Sequence, residues 1–169
     1  PVVWKEDGPY ALQEADRPAL QAEYERLAEY LRDHPETNFF HFNVDLAQGP
    51  CVIKRLRGCG AGCEYVAITP EGDIYPCHQF VGNEDYKLGS LYDGTFDKEL
   101  SGRFAGLNIY TREECKDCWA RFYCSGGCSA SNLLVNGDIK KPHRVGCELE
   151  RKRLECAIAL RATAAGMAE

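Results

Sequence analysis

No run of about 18 apolar residues occurs in the chain, so nothing in it has the length of a membrane-spanning helix. A positively charged start leading into a short apolar core is also missing, which leaves no secretory signal to read. Basic residues are too few and too scattered for a surface that tracks phosphates: 20 Lys and Arg stand against 26 Asp and Glu, for a net charge of −6. Neither nucleic acid nor membrane is expected as a partner, and a cytoplasmic location is. With 169 residues the chain has room for one ordinary domain, or a small domain plus part of a neighbour, and not for a large multi-domain enzyme. It begins at Pro1 rather than Met, and a preceding segment is expected.

Cysteine is absent from the first 50 residues, whereas ten cysteines follow from Cys51 onward. That shift puts an expected boundary near Gly49-Pro50, dividing residues 1–50 from residues 51–169. In the first part, Pro1 to Trp4 reads as a short strand. Asp16 and Pro18 read as a helix start, with Leu20, Tyr24, Leu27 and Leu31 on one face. His34-Pro35 ends that helix, and Phe39, Phe40, Phe42 and Val44 read as a second strand. A unit of about 45 residues is too small to bury its own core, so it needs a larger sheet to pack on.

In the second part, Glu64 to Thr69 and Asp73 to Tyr75 read as a β-hairpin closed by Pro70-Glu71-Gly72. A brief strand is expected within Tyr86 to Leu91, one or two helical turns within Asp97 to Ala105, and a terminal helix from Arg144 to about Ala165. The chain contains no internal repeat and no low-complexity segment.

Ten thiols are more than a core requires, and three chemistries use them: disulfides, zinc and iron-sulfur clusters. Cys115 to Cys128 run as C-x2-C-x5-C-x3-C. A C-x2-C turn lets two sulfurs converge on one metal centre, and Gly126 and Gly127 let backbone N–H groups approach sulfur with no Cβ in the way. The hairpin returns Cys77 toward Cys59, making another pair. Cys147 opens the last helix on the face of Leu154 and Ile158, while Cys156, roughly 180° away on the helix, points elsewhere. Close C-x2-C pairs in a chain with no secretory start argue against disulfides. The spacing also departs from the ferredoxin run C-x2-C-x2-C-x3-C-P. Zinc and clusters both remain on spacing alone; His34, His41 and His143 lie away from the pairs and read as surface or packing residues.

The order C-x(9–15)-G-x4-C, gap, C-x2-C-x5-C-x3-C, gap, C is filled by Cys59, Gly72, Cys77, Cys115, Cys118, Cys124, Cys128 and Cys147. It resembles the SPASM region of radical S-adenosylmethionine (SAM) enzymes. The text GPCVIKRLRGCGAGCEYVAITPEGDIYPCHQFVG, from Gly49 to Gly82, is most similar to maturases of six-cysteine (SCIFF) peptides, which form thioether links. The resemblance implies an α+β fold: a small cysteine-rich domain of hairpin and helices around two 4Fe-4S clusters, following the last strand-helix unit of a partial (β/α)6 barrel. It implies that Cys115, Cys118, Cys124 and Cys147 hold an outer cluster II, and that Cys59, Cys77 and Cys128 hold cluster I. The fourth ligand of cluster I stays open between Cys51, favoured by fully ligated relatives, Cys63, and an iron left vacant for a substrate thiolate.

The C-x3-C-x2-C triad of the SAM-cleaving cluster is missing: Cys59-x3-Cys63 begins it, but Val66 takes the next place. The resemblance therefore places that third cluster and SAM in a barrel before Pro1, with this chain the carboxy-terminal part and inactive alone. It further implies a ribosomal precursor peptide with its leader as substrate and flavodoxin or ferredoxin as reductant. In sulfatase-maturing relatives an aspartate follows the cysteine of G-x4-C and acts as base; here His78 stands there as the candidate catalytic residue. Lys54, Arg55 and Arg57 are candidates to offset cluster charge or to meet an acidic leader. Trp119, Phe122 and Tyr123 are expected as the dry wall of the outer cluster, and Glu64 and Asp73 as exposed turn neighbours. The alternative reading is a zinc-binding structural or peptide-binding module without redox chemistry.

Overall fold

A computed structural model describes residues 11–45 and 56–166. Helix α1 spans Arg17–Asp33, with Asp16 as its N-cap residue and proline in its first turn. Proline suits that place because its missing N–H has no intrahelical partner there anyway. The helix ends at His34, before Pro35.

A four-stranded antiparallel sheet in chain order follows: β1 (Ala67–Ile68), β2 (Asp73–Tyr75), β3 (Gly89–Ser90) and β4 (Thr95–Phe96). The expected hairpin is present, with Ala67 opposite Tyr75 and Ile68 opposite Ile74. Gly72 takes φ +81°, its N–H reaches the Thr69 carbonyl at 2.9 Å, and the Thr69 N–H reaches the Asp73 carbonyl at 3.0 Å. A residue with a Cβ is strained in that left-handed conformation, so the turn needs glycine there. The first strand is shorter than its sequence pattern suggests, because Gly60 to Tyr65 form tight turns instead.

Helix α2 (Lys98–Ala105) is capped by the Asp97 carboxylate, which accepts the Leu100 N–H at 2.8 Å. The single-turn helix α3 (Arg121–Cys124), helix α4 (Ser129–Asn136) and the long helix α5 (Arg144–Ala164) follow, with short 3₁₀ turns between elements. The sheet packs through Ile74, Tyr75 and Leu88 against Leu100 and Phe104 of α2 and Ala130 of α4. Phe80 and Phe104 meet edge to face in this core, 5.4 Å between centroids.

A second apolar cluster joins α1 to α5. Leu31 of α1 and Phe42 pack with Cys156 and Ala157 of α5, flanked by Tyr24, Leu27 and Leu160. Lys152 bridges the same seam with its ammonium 2.7 Å from Glu25, and Arg153 donates to the His41 carbonyl at 3.1 Å.

Phe39 to Val44 do not form the expected strand. Phe40–Phe42 are one 3₁₀ turn, and Phe39 and Phe42 stack edge to face at 5.0 Å while Phe42 lies 5.9 Å from Tyr24. Aromatic packing against α1 satisfies these side chains without a strand ladder, overriding their strand preference. Ile158 was expected to face inward with Cys147 and Leu154, but it is exposed whereas Leu154 is fully buried. Straight α-helical geometry explains this, since four residues turn 400° and carry Ile158 past the buried stripe. The expected Pro1–Trp4 strand, the Gly49-Pro50 boundary, Cys51, Lys54 and Arg55 lie outside the described residues.

Candidate metal-cluster centres

Seven of the nine described cysteines border two adjoining cavities, and all nine are free thiols. The smaller cavity, about 400 Å³, is bordered by Cys115, Cys118, Cys124 and Cys147. The larger, about 790 Å³, is bordered by Cys59, Cys77 and Cys128 and also touches Cys124 and Cys147. Local chain geometry brings these sulfurs together. Cys115 ends a 3₁₀ turn and its carbonyl accepts the Cys118 N–H at 3.2 Å, closing the C-x2-C turn. Cys77 follows β2 on the far side of the hairpin, and Cys147 sits in the first turn of α5.

The segment between Cys124 and Cys128 has an unusual backbone. Ser125, Gly126 and Gly127 all have positive φ, at +57°, +86° and +73°. Three successive left-handed residues reverse the chain after α3, and the Gly126 and Gly127 N–H groups donate to the Cys124 sulfur. A row of N–H groups turned toward one point makes a nest for negative charge.

Neighbouring side chains repeat this pattern. Arg151 donates to Cys118 Sγ at 3.9 Å, and Gln79 donates to Cys128 Sγ at 3.8 Å. Cys77 receives the Tyr65 hydroxyl together with the backbone N–H groups of Gln79 and Phe80. Burial pushes the Cys147 thiol up to about 12, helped by the neighbouring sulfurs of Cys124 and Cys115. Burial likewise raises Cys115, Cys124 and Cys77. Such thiols stay protonated near neutral pH unless a metal takes the place of the proton.

Among the described residues, no three His, Cys, Asp or Glu side chains converge as ligands of a single metal ion. The sulfurs instead surround volumes that suit a multi-atom group, with N–H donors aimed at sulfur. Thiolate ligands with N–H donors aimed at their sulfurs in this way fit an iron-sulfur cluster.

Several other residues lie away from their expected places. Cys63 borders neither cavity; its thiol donates to the Gly60 carbonyl at 3.3 Å. Cys156, expected to point elsewhere, is buried in the α1–α5 cluster and borders neither cavity. His143, read from the sequence as remote, borders the larger cavity with His78, because the turn before α5 folds back over α4. Trp119 and Phe122 do not wall the smaller cavity. Trp119 is 48% exposed, and Phe122, half-buried, lies under the Arg121 guanidinium at 4.9 Å. Tyr123 borders the larger cavity rather than the outer one. Arg57 faces Glu64 at 3.8 Å on the surface, and Asp73, half-buried rather than exposed, pairs with Lys87 at 2.7 Å. Sequence reasoning passed over Tyr65, Gln79, Arg112 and Arg151, because no motif marks a residue that supports the cysteine segments from elsewhere in the chain.

Paired thiol cavities lined by N–H donors define a metal-cluster-binding domain. Residues 59–119 match the SPASM family, an iron-sulfur cluster-binding domain. The chain is 31% identical over 147 residues to the mycofactocin maturase MftC of Mycobacterium ulcerans, covering 83% of this chain and 37% of that protein. Similarity to a PqqA peptide cyclase of Xanthomonas axonopodis pv. citri is 28% over 102 residues, covering 56% of this chain and 27% of the cyclase. A serine-type anaerobic sulfatase-maturating enzyme of Klebsiella aerogenes is 28% identical over 85 residues, covering 48% of this chain and 20% of that enzyme. The chain thus spans between 20% and 37% of the length of these relatives. No described helix is long and apolar enough to cross a membrane.

Proposed function

We propose that this chain is the auxiliary-cluster portion of a radical SAM maturase that forms thioether links in a ribosomally made, cysteine-rich peptide. The observation that carries this reading is the gathering of seven cysteines around two adjoining cavities. In this assignment Cys115, Cys118, Cys124 and Cys147 hold a 4Fe-4S cluster in the smaller cavity. Cys59, Cys77 and Cys128 hold another in the larger, with Cys51 as the candidate fourth ligand. Cys63 is the weaker candidate because its thiol is engaged with Gly60 away from both cavities. The SAM-cleaving centre and the barrel belong to the rest of a longer enzyme, as the short span of the relatives' length suggests.

Thioether closure replaces a thiol S–H and a carbon-bound hydrogen by a C–S bond. The hydrogen atom leaves with the radical fragment of SAM, the thiol proton leaves to a base, and one electron needs an acceptor, which is the chemistry a bound 4Fe-4S cluster supplies. The protein's own side chains do the rest. His78, exposed at the edge of the larger cavity, is the base that this reading assigns to the thiol proton. Tyr65 and Gln79 hold Cys77 and Cys128 by hydrogen bonds, orienting ligands from two distant segments. A precursor peptide is the substrate this reading requires, and a flavodoxin or ferredoxin the electron source.

Anaerobic reconstitution followed by iron and sulfide analysis tests the ligand sets: roughly eight irons should be held by this chain's cysteines. Incubating the intact enzyme with SAM, dithionite and a six-cysteine precursor peptide should remove a pair of hydrogens per link, read by mass spectrometry. A protein that binds zinc and no iron overturns the reading.

A further inference from the structure

Arg112 is a charged side chain with only 3% exposure. Its two terminal nitrogens reach opposite ways: Nη1 donates to the Gly126 carbonyl at 2.9 Å, and Nη2 donates to Ser129 Oγ at 3.0 Å. Gly126 borders the smaller cavity and Ser129 borders the larger, so the guanidinium lies behind the partition between them. Its third nitrogen, Nε, is buried without a hydrogen-bond partner. Among the described residues no carboxylate comes within ion-pair distance of it.

A buried cation with no such counter-ion is costly. Burial pushes the Arg112 guanidinium below its usual pKa, and the groups that act against this when ionised are the sulfurs of Cys115, Cys124 and Cys128, followed by the Asp138 carboxylate. Those sulfurs come from both proposed ligand sets. The missing counter-charge is therefore the pair of anionic centres that the cysteines would hold.

We propose that Arg112 is a positioning residue shared by both centres: one buried positive charge that braces the wall between the cavities and raises the reduction potentials of the two clusters together. A cluster becomes more negative when it accepts an electron, and a nearby positive charge favours that state. The inference rests on the ligand assignment above. Iron analysis of the wild type comes first, so an iron-free protein is recognised as a failure of that assignment before any potential is read.

The test is a mediated dithionite titration of the iron-loaded full-length protein, followed by electron paramagnetic resonance, in Arg112→Gln, Arg112→Met and Arg112→Lys. Removing the charge should leave the iron content unchanged and shift both auxiliary-cluster potentials to more negative values, and Arg112→Lys should return both toward wild type. A purely structural role would not produce that joint shift or its rescue. Neutral variants that load fully with one or neither potential moved overturn the proposal. Should the neutral variants fail to load, Arg112→Lys decides: normal iron and near wild-type potentials support the charge, whereas failure of the lysine variant as well assigns the effect to the guanidinium fork and overturns it.

Discussion

The side chain of Asn132, 1% exposed in α4, accepts the backbone N–H of His143 at 3.0 Å, while its amide donates to the Ile139 carbonyl at 3.3 Å. Helix α4 begins directly after Cys128, and α5 carries Cys147 one turn beyond His143. One buried amide therefore holds two cysteine-bearing segments at their working separation. Replacing Asn132 with Leu leaves the His143 N–H and the Ile139 carbonyl without these partners, which should cost about 1–3 kcal/mol each if they stay dry. Denaturant titration of the loaded protein should show the loss, and chelator challenge should release iron faster than from wild type. Unchanged iron release would mean that this link does not position the cysteines.

Cys124 and Cys128 lie four positions apart in sequence, yet the proposed ligand sets send them to different centres. The cavities explain how this is possible: three positive-φ residues between the two reverse the chain. Cys124→Ala should cut loading mainly at the smaller cavity, and Cys128→Ala mainly at the larger. Each variant should leave a distinct residual electron paramagnetic resonance spectrum. Cys156→Ala should leave iron content unchanged, because that thiol is packed with Leu31 and Phe42. Identical spectra from the Cys124 and Cys128 variants would defeat the interleaved assignment.

Gly126 is the least replaceable residue of that reversal. Its φ of +86° disfavours any residue with a Cβ, and a Cβ there would stand 3.0 Å from Arg112 Cδ. Gly126→Ala should cost about 1–2 kcal/mol for the backbone alone. It should also displace the guanidinium, so iron occupancy falls in both centres rather than one. Melting temperature and iron per chain check the two effects separately.

Much of this architecture was legible in the sequence wherever a local rule acts alone. The Pro18 helix start, the Pro70-Glu71-Gly72 turn, the helical turns within Asp97 to Ala105 and the terminal helix each depend on a few adjacent residues, and each is present. The aromatic run at Phe39 to Val44 misled, because its strand preference yields to packing against α1 and the distant α5. Helices α3 and α4 were missed because one is a single turn and the other follows two glycines, which break any periodic pattern. For the site, cysteine spacing pointed to the clustering residues. The supports at Arg112, Asn132 and Tyr65 come from segments far apart in the chain, where no spacing rule applies.

Alkaline pH should act on the metal-free protein through Cys147. Its thiol is held up to about 12 when folded, against an ordinary value near 9. Above pH 9 the unfolded chain loses this proton while the folded chain keeps it, so the folded state binds more protons and stability falls as pH rises between about 9 and 12. Cys115, Cys124 and Cys77 are raised in the same direction and add to the trend. Below pH 9 these thiols are protonated in both states and contribute no slope. Iron loading replaces the protons, so the loaded protein should lose the alkaline slope and instead release iron as acid restores the thiols. Denaturation midpoints of the metal-free and loaded forms from pH 7 to pH 11 check this. Parallel pH profiles for the two forms would show that these sulfurs do not exchange protons for metal.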